Sequence, residues 1–259
     1  MEIFIKNFQI LLLIFVRVSG IFFIAPFFSS LLIPTRFKII FSIFLTLILF
    51  PSLKNFNITI PSHMGEYGIM VISQFILGLI LGFIVAIIFT GFQLAGQFFS
   101  FQMGFGITQV YDPLAQIEIP IIGQFQYLLA LLVFLLIRGH HLLITALYQS
   151  FEILPVFDFS NIAKVEILSL SISKIFSQMF LLALKIAFPI IGTMFLVSFV
   201  LGLLAKVSPQ MNIFMIGFPF QIGIGLITIF IVLPFFIEMI GYVIDFMFDD
   251  IGNLIYTLR

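Results

Sequence analysis

The chain has 259 residues, of which 62% are hydrophobic and 8% charged, against about 25% charged in soluble domains. This is the composition of an integral membrane protein. The formal net charge is zero and no stretch concentrates Lys and Arg, so nothing recruits a nucleic-acid backbone. Without cysteine, disulfides, thiolate catalysis and cysteine-ligated metals are excluded.

The first apolar run covers residues 8–25 and ends at Pro26. Lys6 ahead of it imitates a secretory signal, but Arg17 interrupts the run and Pro26 follows Ala25, so an uncleaved first helix is expected. An Arg at a bilayer centre costs about 2.5 to 3.5 kcal/mol on insertion scales, so Arg17 must face protein or water. The second run, residues 39–50, follows Arg36 and Lys38. Twelve residues reach only about 18 Å against a hydrocarbon core of about 30 Å, which predicts a helix too short for an ordinary span.

Residues 51–68 form the first polar loop, and the third run then carries Gly78, Gly82 and Ala86 at four-residue intervals. Such a stripe lets a second helix approach closely. Past residue 90 the run continues with Gln93, Gln97 and Ser100 on one polar helical face, opposite Phe92, Phe99 and Met103. Gly104 and Gly106 bracket Phe105, and Asp112-Pro113 is a turn signal, so the helix is predicted to end near Gln102. The segment beyond it exposes Phe105, Ile107, Val110 and Tyr111, side chains unsuited to an ordinary aqueous loop. Irregular, apolar chain at membrane depth belongs inside protein or lining a cavity, which predicts a constriction or plug.

Pro120 can start a helix reaching Ile137, closed by Arg138-Gly139-His140-His141. In residues 142–152 the polar positions Thr145, Gln149 and Glu152 share a face with His141, opposite Leu143, Leu147 and Phe151. Residues 155–174 carry Asp158, Asn161, Lys164, Glu166 and several serines, the best candidate boundary between two halves. The second half reads as a helical hairpin with arms 175–204 and 213–240, joined by a turn at residues 206–212 that contains Pro209, Gln210 and Asn212. Pro189, Pro219 and Pro234 interrupt the arms and predict kinks. The tail, residues 242–258, places Ile244, Phe248, Ile251, Ile255 and Leu258 on one face and Asp245, Asp249 and Asn253 on another, which suits a protein partner better than anionic lipid. If the runs make six spans, the excess of Lys and Arg favours an N-terminus inside.

No catalytic constellation accompanies His140-His141 or Asp112: HExxH, GxSxG and paired carboxylates are all missing. The reading is non-enzymatic, with no cofactor or metal. Lys185, ten residues into the fifth run and near Pro189, is either a proton or substrate site or a charge paired with a neighbouring helix. A small-solute secondary transporter built on broken helices and Lys185 is therefore the alternative to a gate.

Several stretches resemble the FliR family of flagellar export-gate proteins, whose relatives serve virulence type III secretion. They are Arg17-Val18-Ser19-Gly20, the run from Ala25-Pro26 to Ser29-Ser30, Ile33-Pro34, Ala95-Gly96-Gln97, Phe101 to Phe105, Asp112-Pro113, Gly139-His140-His141, Ser208 to Asn212, and Gly217-Phe218-Pro219. The resemblance implies an all-α membrane subunit of helical hairpins with kinked and broken helices, assembled with FliP and FliQ and joined by FlhB and FlhA in the inner membrane at the base of the flagellum. It implies a FliP-like half at residues 1–160, a FliQ-like hairpin at 161–240 and an amphipathic tail at 241–259. Its plug loop falls on residues 104–121, beside a methionine-rich ring contributed by neighbours. Together with the residue pattern this predicts a gate made of Met103, Gly104, Phe105, Gly106, Ile107, Val110, Tyr111, Asp112 and Pro113. Gln93, Gln97 and Ser100 would face a channel for unfolded export substrates, other helices would meet membrane lipid, and Pro209, Gln210, Asn212 and Pro219 would shape the hairpin turn.

Overall fold

A computed structural model of the protein describes residues 2–29, 33–53, 60–61, 63–105, 121–157, 162–208, 210 and 212–258. The described residues form helices and turns and contain no strand. In order the helices are α1 (Glu2–Ile24), α2 (Thr35–Leu53), α3 (Met64–Gln102), α4 (Ile121–Leu136), α5 (Gly139–Ile153), α6 (Ile162–Val207) and α7 (Ile213–Thr257). α1, α2, α3, α6 and α7 are each long and apolar enough to cross a membrane, and α4 with α5 adds a sixth crossing if the pair counts as one.

The second run is longer than its apolar letters suggest. α2 has 19 residues, about 28 Å, because Thr35, Arg36 and Lys38 continue the helix at one end and Pro51-Ser52-Leu53 at the other. Long basic side chains carry their charge away from the helix axis, so they do not end a span as a strict apolar count assumes. α6 likewise starts at Ile162, so Lys164, Glu166 and Lys174 lie inside a 46-residue helix. The predicted tail is the end of α7, which runs unbroken to Thr257. Pro189 stays within α6, and Pro219 and Pro234 within α7. At Pro189 the Thr193 hydroxyl donates to the Pro189 carbonyl at 2.8 Å.

The chain divides into two compact units. One comprises Met1–Ile88, Arg138–Phe176 and Ile244–Arg259; the other comprises Phe89–Ile137 and Ser177–Val243. α3, α6 and α7 each contribute a segment to both units.

In the first unit, α1 buries Ile10, Ile14, Val18 and Ile21, the α3 segment buries Leu77, Leu81 and Ile84, and α5 buries Leu143, Leu147 and Phe151. The α7 segment buries Ile244, Ile251 and Ile255, and Leu258 just past its end is buried too, while Asp245, Asp249 and Asn253 are exposed, so the amphipathic pattern of the tail is used as packing. Phe22, Phe28 and Phe41 meet with centroids 4.3 to 5.7 Å apart, fastening the end of α1 to α2. In the second unit, Phe89 meets Tyr127 and Phe134 of α4, Phe98 meets Phe180 of α6, and Phe99 stacks on Phe236 of α7. The α3 segment of that unit is thus surrounded by α4, α6 and α7.

Candidate functional site

Within the second unit, α3 ends at Gln102, where the glycine pattern placed the stop. Gly104 adopts φ +87°, its N–H donates to the Phe101 carbonyl at 3.1 Å, and the Phe105 N–H reaches back to the Ser100 carbonyl at 3.0 Å. This pair of bonds around a left-handed glycine is a Schellman motif, which satisfies carbonyls that a helix end otherwise leaves bare. The turn is held from outside as well. Met103 is fully buried and lies in a notch left by Gly225 of α7, where an added Cβ would sit 2.7 Å from the Met103 Cγ. A Cβ on Gly104 would come within 3.0 Å of the Phe218 ring. The chain therefore leaves α3 from a fixed root made of Met103, Gly104, Phe218 and Gly225. Of the predicted gate residues, Met103, Gly104 and Phe105 belong to this root; Gly106, Ile107, Val110, Tyr111, Asp112 and Pro113 lie outside the described residues.

The polar face of α3 meets α4. Gly96 and Gly123 face each other so closely that a Cβ on Gly96 would lie 2.5 Å from the Gly123 Cα. A Cβ on Gly123 would lie 3.6 and 3.7 Å from the Cγ atoms of Gln93 and Gln97. Both glutamines are half-buried, and Ser100 is buried with its hydroxyl unpartnered. Next to the root, Ser198, Leu201, Gly202 and Ala205 of α6 with Gly217, Phe218 and Gln221 of α7 line a cleft of about 220 Å³. Gln221 donates across it to the Ser198 hydroxyl at 3.3 Å.

In the first unit Arg17 is completely buried, and it faces protein as its position required. Its Nε donates to the Gln74 Oε1 at 2.7 Å, and Nη2 donates to the same oxygen. Nη1 donates to the Ser150 carbonyl and hydroxyl at 2.9 and 3.1 Å, and Nη2 to the Leu154 and Pro155 carbonyls at 2.9 and 3.1 Å. The guanidinium carbon sits 4.0 Å from the centroid of the Phe151 ring. The main acceptors are the Ser150 carbonyl, which also takes the Leu154 amide, and the Leu154 and Pro155 carbonyls just past the C-terminal end of α5, where the helix dipole is negative. They balance the charge without a carboxylate, and the fork of the guanidinium uses all its donors at once. The Gly78 stripe makes room for this: a Cβ there would strike the Arg17 backbone oxygen, and one on Gly82 would lie 2.8 Å from the Ile21 oxygen.

Elsewhere, Arg138 has φ 60° and ψ 33°. Its carbonyl accepts from the His141 and Leu142 amides at 2.9 and 3.3 Å. Arg138 therefore makes the left-handed turn that starts α5, and His140-His141 opens that helix instead of closing the previous one. His141 is exposed; His140 is half-buried with Nδ1 unpartnered, and the two rings lie 4.4 Å apart. Among the described residues no three His, Cys, Asp or Glu side chains group as a metal site needs. Lys185 is exposed on α6. At the hairpin turn Asn212 caps α7, its Oδ1 and carbonyl accepting from the Met215 amide at 3.3 and 3.0 Å. Gln210 and Pro219 are exposed and Pro209 lies outside the described residues.

Sequence reading overlooked Gln74, Gly123, Gln126 and Gly225. Gln74 and Gln126 did carry a signal, since a polar side chain inside an apolar helix calls for a hydrogen-bonding role.

The five helices long and apolar enough to cross a membrane define a polytopic helical membrane protein. The chain belongs to the bacterial export proteins, family 1, whose family model matches residues 8–247. It is 33% identical over 257 residues to the flagellar biosynthetic protein FliR of Bacillus subtilis, covering 98% of each chain. Proteins of the same name from Buchnera aphidicola and Escherichia coli are each 29% identical, with 92% of this chain and 90% and 88% of theirs covered. The small-solute transporter reading finds no support in these relatives.

Proposed function

We propose that the chain is a membrane subunit of the flagellar protein-export apparatus, non-enzymatic, which helps to form and plug the channel that unfolded flagellar proteins pass through. Its place is the bacterial inner membrane at the base of the basal body. Its partners are FliP and FliQ in the gate, with FlhB and FlhA beside it. Residues 1–160 act as the FliP-like half, 161–240 as the FliQ-like hairpin and 241–259 as the tail. The observation that carries the reading is the match of family and relatives over nearly the whole chain. The root at Met103 and Gly104 supports the assignment of the plug to the residues that follow, because a movable seal needs one fixed end. Exposed apolar side chains along α6 and α7, such as Phe188, Phe195 and Phe230, suit a subunit that packs on other helices or lipid.

A channel wide enough for an unfolded chain leaks ions unless apolar groups block it. Deleting residues 106–110 leaves the root and the helices untouched. The expected outcome is normal recovery of the assembled complex, raised ion conductance and slowed growth on induction. An intact complex that stays ion-tight would remove the sealing role from this loop, and loss of the complex would make the loop structural.

A further inference from the structure

Gln126 stands in the second turn of α4, on the face that also buries Gly123 and Ala130. Only 1% of it is exposed, and neither its Oε1 nor its Nε2 has a hydrogen-bond partner. Its level along α3 follows from its neighbours. Gly123, one turn before it, lies against Gln93 and Gln97, and Tyr127, the next residue, meets Phe89. Gln126 therefore stands between those contacts, opposite the polar face of α3. The Ser100 hydroxyl on that face is likewise buried and unpartnered, and so is the Oε1 of Gln178 on α6, whose neighbour Met179 touches Gly91.

A side-chain amide shut away from every partner is costly, and deep in an apolar helix bundle nothing local relieves it. At the α3–α4 seam glycine backbones touch at Gly96 and Gly123 and Phe89 meets Tyr127 and Phe134, and between these contacts the Gln126 amide leaves its bonds unmade. α3 also meets α6 and α7 through rings, Phe98 on Phe180 and Phe99 on Phe236. If the chain parts anywhere here, it parts where closure leaves polar groups unsatisfied and where parting lets water satisfy them.

We infer that Gln126 is a concealed channel-wall residue: the seam between α3 and α4 is closed at rest and opens during export, and water or the backbone of the passing chain then bonds the Gln126 amide and the Ser100 hydroxyl. The inference rests on the channel reading and adds to it which joint moves and which residue the movement uncovers. An amide suits this role because it donates to and accepts from any peptide backbone without selecting a sequence or binding an ion.

The chain contains no cysteine, so Gln126→Cys introduces its sole thiol, and the same complex without the substitution corrects for partner subunits. The assembled complex in membranes is treated with a water-soluble maleimide, with and without an export substrate arrested in passage. Phe105→Cys, cross-linked to that substrate, reports separately whether the chain passes the gate root. The expected result is slow modification of Gln126→Cys at rest and at least about tenfold faster modification with substrate arrested. Cross-linking at Phe105→Cys with no change at Gln126→Cys would overturn the seam and leave the channel reading intact. No cross-linking at Phe105→Cys would sink the channel reading and the seam with it. As a second measurement, Gln126→Leu should slow export severalfold at unchanged complex recovery, and Gln126→Asn should restore part of the rate. Export at the normal rate in Gln126→Leu would make the glutamine a packing residue and overturn the proposal.

Discussion

Arg17 and the polar face of α3 are both polar intrusions into apolar helices, and the fold treats them in opposite ways. Around Arg17, Gln74, Ser150, Leu154 and Pro155 all contribute acceptors and the Phe151 ring covers the guanidinium, so the charge is satisfied although the Gln74 Nε2 is left without a partner. Along α3 beyond residue 89 the Ser100 hydroxyl, and on the adjoining α4 Gln126, are buried with their bonds unmade. The contrast separates a joint built to stay closed from one that closes at a cost. A buried charge whose donors are all used is held rigidly because opening would leave it bare; a buried amide with no bond on either side gains by opening.

The largest expected effect falls on the closed joint. Arg17→Leu removes the donor to the Gln74 Oε1 and to the Leu154 and Pro155 carbonyls, each loss worth about 1–3 kcal/mol, so the chain should fail to accumulate in membranes, as an immunoblot of membrane fractions would record. Arg17→Lys keeps a charge but loses the planar fork and should accumulate at an intermediate level. Wild-type levels for Arg17→Leu would erase the comparison. Gly78→Ala should come next, because its Cβ strikes the Arg17 backbone oxygen and forces α1 from α3, an overpacking cost of about 1–3 kcal/mol. The purified complex should melt several degrees lower.

Gly104→Ala sharpens the other side. Its left-handed backbone and the adjacent Phe218 ring make a cost of about 1–2 kcal/mol, small enough for assembly to survive. Its signature is therefore a leak: conductance should rise without loss of complex, and an ion-tight complex would show that the root does not position the seal. Smallest is Arg138→Gly, which removes a side chain from a left-handed turn and should stabilise by about 0.5–1 kcal/mol. A melting temperature that falls would mean that the Arg138 side chain holds something of its own.

The sequence alone determined what local chemistry dictates. Membrane class follows from composition, the end of α3 from the glycine that only a left-handed turn explains, and the close helix approach from Gly78 and Gly82. The buried face of residues 142–152 and of the tail follows from helical period. That Arg17 needs a protein environment was also legible, because no lipid tail accepts a hydrogen bond. Its partners were not, since Gln74 lies 57 residues away and Ser150 133 residues away, and no local pattern links positions that only packing brings together. The tertiary structure also decided that α2 keeps its basic residues and is long enough to span, since helix length depends on what covers the ends. It placed Lys185 on an exposed face of α6, where the sequence left a transport site and a paired charge open. And it alone separated Arg17 from Gln126, because whether a polar group in an apolar helix is satisfied depends on which neighbour's acceptors arrive beside it.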